Sequence, residues 1–216
     1  MSPNLVPLIS RHFQDFRNIQ TEFDFSLEMN TINHMDENKS SRKKARTERK
    51  PVKKPLEMVS GVYFGKNRFL RVVHQPVGKP GYVSSISNTA TNFQLAARYG
   101  NIGLVAHNYL GGRLFKDLKI GDEIYVMDGF GRKRNYRIIE MLRYQAVNPR
   151  STRSNFVNLE NRQLCTATDV FKRVYTGKHH LVLQTCIKKG GNLEWGRIFI
   201  IAHPVNEVRV NYSQLD

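Results

Sequence analysis

From residue 59 onward the chain is a series of short apolar runs cut by glycine and proline. Residues 62–64 (VYF) and 69–73 (FLRVV) read as strands on either side of Gly65, Lys66 and Asn67. Gly78 and the Pro80-Gly81 pair mark turns. Residues 92–99 (NFQLAARY) hold the helix formers Leu95, Ala96, Ala97 and Arg98, with Gly100 placed to end them. Residues 102–107 (IGLVAH) form a buried-strand run, Gly111-Gly112 breaks the chain, and 114–118 fits a short helical turn. Two strands follow, 123–127 (EIYVM), which alternates, and 134–144 (RNYRIIEMLRY), with a turn at Gly129-Phe130-Gly131 between them. Residues 169–175 (DVFKRVY) fit a helix. The strongest strands are 180–185 (HLVLQT) and 197–202 (RIFIIA), with a last one at 208–210. Many short β runs and few helices predict a mainly β fold, an antiparallel barrel or sandwich.

The first 58 residues have a different texture. Leu8, Ile9, Phe13, Phe16, Ile19 and Phe23 have partial helical spacing, enough for a short amphipathic helix. Residues 39–55 (KSSRKKARTERKPVKKP) hold nine basic residues against Glu48 alone and no aliphatic larger than Val52. That composition predicts an exposed linker. It also fits the loose pattern of an address signal or a nucleic-acid patch. The chain thus divides into a disordered basic leader and linker, 1–58, and a folded domain, 59–216.

Charge sharpens this division. The 216 residues carry 34 Lys+Arg and 18 Asp+Glu, a net +16. Residues 59–216 alone hold 23 basic and 10 acidic side chains. The domain is therefore basic in its own right and is drawn to anionic partners. An anionic polymer or membrane surface could engage basic residues 39–54. The purest apolar run, 198–202, is far short of a membrane span, and the first thirty residues lack the apolar core of a secretory signal. The compartment stays undecided. Two cysteines, Cys165 and Cys186, are too few for a disulfide scaffold or a Cys-rich zinc site, and the seven histidines show no metal spacing. No metal and no cofactor is expected.

Candidate chemistry gathers at strand ends. Cys186 follows an apolar run and precedes a polar loop, where an exposed, positioned thiol would sit. Arg197 opens the next strand, and a paired hairpin would bring it near Cys186. His107 ends another apolar run. A thiol, an imidazole and a guanidinium at three strand ends would suit acyl transfer, as nucleophile, proton donor and oxyanion clamp. The competing reading makes Cys186 a buried small hydrophobe, His107 a satisfied strand end and Arg197 a surface charge.

The stretches 101–131 (GNIGLVAHNYLGGRLFKDLKIGDEIYVMDGFG) and 180–204 (HLVLQTCIKKGGNLEWGRIFIIAHP) resemble the sortase family. The shared pattern is a strand ending in His, then a Phe…Leu…Gly-Asp turn, then a Leu-x-Leu-x-Thr-Cys strand, then an Arg opening the next strand. The resemblance is good over about 92–204 and extends plausibly over 59–216. It implies an eight-stranded β-barrel with short helices, acting as a cysteine transpeptidase or, without an amine, as a hydrolase. It implies Cys186 as nucleophile, His107 as general acid/base, and Arg197 as the residue that binds the peptide and stabilises the oxyanion. Thr185 would support the nucleophile, and 148–179 would shape the pocket. The partners it implies are a peptide or protein sorting signal and an amine acceptor, a cell-wall peptide or a protein. Family members usually carry a membrane anchor or signal at the cell surface, and none is visible here. A non-catalytic basic barrel that binds nucleic acid or an anionic polymer is the alternative.

Other residues read more simply. Asn108 could offer a backbone N–H to an oxyanion or cap the strand end. Trp195 suits packing or a pocket wall. Cys165, in a polar stretch, reads as structural, and His179 and His180 as a solvated strand start.

Overall fold

The computed structural model describes residues 58–65, 67–149 and 154–205. The leader, the basic run at 39–55 and the expected strand at 208–210 lie outside the described residues. Ten strands are described: β1 (Val59–Phe64), β2 (Arg68–His74), β3 (Thr89–Asn92), β4 (Ile102–Val105), β5 (Glu123–Asp128), β6 (Lys133–Ala146), β7 (Phe156–Asn158), β8 (Leu164–Cys165), β9 (Leu181–Lys189) and β10 (Asn192–Pro204). Two short α-helices join them, α1 (Gln94–Arg98) and α2 (Ala167–Tyr175), together with a 3-10 helix at Gly111–Asp117.

Eight strands run in the order β10-β9-β4-β3-β2-β1-β5-β6, and β6 pairs back onto β10. That last pairing closes the sheet into an eight-stranded barrel and leaves β7 and β8 as a flap on β6. Closure removes the open edges that an eight-stranded sheet would otherwise present. The barrel is filled from alternate positions of each strand, among them Val62, Phe64, Leu70, Leu104, Ile124 and Leu183.

A second apolar cluster lies outside the ring, where α1, α2 and β7 cover β4, β6, β9 and β10. Phe93, Phe171, Val174 and Tyr175 pack there on Val182, Phe199 and Ile201. β9 and β10 are therefore buried on both faces, which explains why their sequences are nearly continuous apolar runs. β5, with one face to solvent, alternates instead. α2 begins in a capping box: the Asp169 amide donates to Thr166 Oγ1, and the Thr166 amide donates to Asp169 Oδ2.

Two pairings in the ring are parallel, β2 with β3 and β4 with β9. The β2–β3 crossover, 75–88, is held by buried Gln75. Its amide donates to the Pro80 and Tyr82 carbonyls, and its oxygen accepts from the Gln94 amide.

Several local expectations change. The strand at 89–92 was not legible, and the helix expected over 92–99 covers only 94–98. His180 is not solvated: it is buried, with its ring nitrogens facing the Lys178 and Val174 carbonyls at 2.6 and 2.8 Å. The cause is α2, whose C-terminal turn packs over the start of β9.

Candidate active site

The site is set by strand register. β9 and β10 pair antiparallel with Arg197 directly opposite Cys186. β4 runs parallel to β9 with Val105 beside Gln184. The pairing continues past the end of β4, where the Ala106 amide donates to the Gln184 carbonyl at 3.1 Å. Extending that register two residues from Val105 brings His107 level with Cys186. Side chains on adjacent strands at one level share a face. Here that face is the outer, helix-covered one, since Val105, Val182 and Phe199 lie in the second cluster.

Cys186 is 4%, His107 5% and Arg197 2% exposed. The exposed thiol at a strand end is thus corrected. β9 runs three residues beyond Cys186, with β10 paired to it at that level and the chain leaving β4 alongside. Arg197 is likewise no surface charge. It follows an irregularity in β10, where Asn192 and Gly196 pair with Lys189 and Ile187, so β10 carries two extra residues. The bulge brings carbonyls within reach of the guanidinium: Nη1 donates to the Glu194 oxygen at 3.0 Å and to the Gly196 oxygen at 3.1 Å.

His107 is fixed from several directions. The amides of Leu110 and Gly112 both donate to its carbonyl at 3.0 Å. Its ring stacks on Tyr109, centroids 5.3 Å apart and planes 23° from parallel. Burial pushes its pKa below the usual histidine range, partly offset by a hydrogen bond with the Val83 backbone in the 75–88 crossover. The resting imidazole is therefore neutral near pH 7. Burial also raises the Tyr109 phenol, and the charge of a Cys186 thiolate adds to it.

The depressed pKa has a consequence for stability. The unfolded chain takes up the His107 proton at higher pH than the folded one. Stability is full above about pH 6.5, the unfolded value, and falls on acidification toward the folded pKa. His74 acts in the same direction, so the check is a difference. Urea midpoints of wild type and His107→Gln, taken at about pH 7.5 and about pH 5, should converge or cross as pH falls. Parallel shifts would contradict the assignment.

The remaining expected residues fall nearby. Thr185 points to the other face of β9 and donates to the Ala106 carbonyl at 2.8 Å, tying β9 to the chain entering His107. Asn108 is buried, and its amide donates to the Leu193 carbonyl at 2.8 Å, linking the His107 turn to the β10 bulge. Trp195 lies in that bulge with the Lys189 ammonium 4.5 Å from its ring centre. Cys165 is in β8, paired with Phe156.

Three features had no sequence signal. The Val83 and Tyr109 contacts come from irregular segments without periodicity. Gln184, two residues before Cys186 on the same face, accepts from the fully buried Tyr175 hydroxyl at 2.5 Å, and its own buried Nε2 has no hydrogen-bond partner among the described residues. Gly112 read only as a chain break. A Cβ there would meet Thr185 Oγ1 at 2.3 Å, the Ala106 oxygen at 2.7 Å and the His107 oxygen at 2.8 Å. All three atoms belong to the scaffold of the site. Gly112→Ala is therefore expected to lower stability by about 2 kcal/mol or more, the range of core overpacking. Urea unfolding checks this, and a loss below about 0.5 kcal/mol would contradict it.

Among the described residues no three His, Cys, Asp or Glu side chains group as a metal site, and no helix is long and apolar enough to cross a membrane. No protein-family model and no curated protein matches the chain. Solved structures do. Sortase A of Listeria monocytogenes is similar at 15% identity and a TM-score of 0.44, over 68% of this chain and 88% of that one. Sortase C1 of Streptococcus agalactiae is similar at 14% and 0.42, over 71% and 70%. Sortase C of Clostridium perfringens is similar at 12% and 0.42, over 69% and 70%. The closed ring described above is itself the mainly β, eight-stranded barrel that the resemblance to sortases implies.

Proposed function

We propose that this chain is a sortase-like cysteine transpeptidase with His107, Cys186 and Arg197 as its catalytic residues. The observation that supports this reading is the register: Arg197 opposite Cys186 on one side, and the strand leading to His107 parallel to β9 on the other.

In this reading Cys186 Sγ attacks a carbonyl carbon of the sorting peptide, and the thiol proton passes to the neutral His107 imidazole. The tetrahedral intermediate carries its negative charge on the former carbonyl oxygen. Arg197 stabilises it as a permanent cation in a water-poor setting, where such stabilisation is largest. As the intermediate collapses, the C–N bond breaks and the His107 imidazolium gives its proton to the leaving amine. A thioester remains on Cys186. A second amine, from a cell-wall peptide or a protein, attacks that thioester, gives a proton to His107 and expels the thiolate. Water in place of the amine gives hydrolysis. No cofactor takes part in these steps.

Transpeptidation and hydrolysis separate by their dependence on amine. With a donor peptide in hand, a glycine-rich amine acceptor should divert product from free acid to a new amide, with donor consumption dependent on Cys186. Donor cleavage that yields only acid at every acceptor concentration would leave a cysteine peptidase. No cleavage of any peptide would favour the non-catalytic barrel.

A further inference from the structure

On the opposite side of the ring, the outward positions of β2, β1, β5 and β6 form a surface unrelated to the site above. Strand register aligns Phe69, Tyr63 and Tyr125 in one row across three adjacent strands. The next row aligns Arg71, Gly61, Met127 and Lys133. The inward neighbours, such as Val62, Leu70 and Val126, are buried in the barrel.

Phe69 is 41% exposed. Its ring lies across the sheet over Gly61, where a Cβ would fall 2.4 Å from Cε2 and 2.8 Å from Cζ. A glycine inside a strand marks a close approach of this kind. The Cε2–Cζ edge of the ring thus leans over Gly61 beside Tyr63, centroids 4.6 Å apart and planes 42° from parallel, and the rest of the ring is open to solvent. Cations frame the row. Lys133 Nζ sits 4.5 Å from the Tyr63 ring centre, and exposed Arg71 borders Gly61 on the other side. The named rows hold no carboxylate, and Glu123, in the next outward row of β5, is occupied by Tyr125, Asn135 and Arg137.

We infer that this face binds single-stranded nucleic acid, with Phe69 stacking a base and Arg71 and Lys133 taking the flanking phosphates. A sheet of flat aromatic rings bordered by cations is the arrangement that holds unpaired bases, each of which brings one planar ring and one negative charge. A ring leaning over the sheet is poorly placed to insert into a bilayer. A neutral glycan would gain nothing from the two cations.

The test is fluorescence anisotropy with a labelled oligothymidylate of about a dozen nucleotides, using the full chain so that residues 39–55 contribute equally to every variant. Phe69→Ala and Phe69→Leu should each weaken binding about tenfold, while Phe69→Trp retains it. Lys133→Ala should flatten the dependence of log K on log salt by about 0.7, one phosphate contact on a single strand. Cys186→Ala should bind as wild type. Thermal unfolding confirms that the Phe69 variants are folded, and the Leu variant keeps the apolar cover of Gly61. Three results would overturn the inference: Phe69→Ala and Phe69→Leu within twofold of wild type, ring-dependent binding that follows a neutral glycan oligomer instead, or ring-dependent binding confined to anionic vesicles.

Discussion

Cys186→Ala should abolish acyl-enzyme formation and leave the barrel intact. The chemistry has one sulfur to form the thioester, since Cys165 lies in β8 on the flap, and burial with the Asp169 charge pushes its thiol pKa up. A raised thiol is a poorer source of thiolate at neutral pH. The structural cost is small. Cys186 lies within β9 with its backbone in register with Arg197 of β10, so the pairing that holds β9 does not depend on its side chain. Losing one buried sulfur should cost about 1 kcal/mol, at the low end for core truncations. Urea unfolding of the variant near wild type, together with no covalent adduct, is the expected pair of results. An adduct that survives in Cys186→Ala would remove the nucleophile from the account.

The second large effect is expected at Arg197. The guanidinium is anchored through Nη1 to the Glu194 and Gly196 carbonyls, which fixes its plane relative to Cys186 across the strand pair. Lysine keeps the charge but not the planar fork. Its ammonium cannot hold both carbonyls in that geometry and also present a second nitrogen to an oxyanion. Arg197→Lys should therefore lower kcat/KM for thioester formation by about a hundredfold, the scale on which one oxyanion donor acts. Arg197→Ala would confound the test, because it leaves the part-buried Glu194 and buried Gly196 carbonyls without that donor and opens a cavity. A Lys variant within about threefold of wild type would show that Arg197 serves only the fold.

Much of the barrel was legible for a physical reason. β9 and β10 are covered on both faces, so HLVLQT and RIFIIA are nearly unbroken apolar runs, whereas β5 meets solvent on one face and alternates. α2 was visible through Val170, Phe171, Val174 and Tyr175, spaced along one helical face. β3 was not, because TATN looks polar. Its threonines are buried but satisfied, Thr89 donating to the Ile86 carbonyl and Thr91 accepting from the Ser84 amide. β7 and β8 are three and two residues long and hang on β6, too short for any period to show.

The site divides in the same way. The residue types at His107, Cys186 and Arg197 stood out at the ends of apolar runs, but their burial did not. The sequence places polar residues after Cys186, and nothing in it shows that β9 continues through them. The Val83 contact of His107 and the Asn108 bond to Leu193 join segments far apart in the chain through irregular backbone, and the Tyr109 stack depends on the turn that follows His107. Gly112 is the clearest case: the residue type was plain, while its reason, three oxygens too close for a methyl group, exists only once β4, β9 and the 3-10 helix are assembled.

The most direct measurement of the central claim is intact-mass spectrometry of wild type and Cys186→Ala incubated with a pooled peptide library, with and without hydroxylamine. The account predicts a peptide adduct on wild type alone, mapped to Cys186 and discharged by hydroxylamine as the hydroxamate. No adduct from any peptide, with Cys186 also slow toward an alkylating reagent, would contradict it.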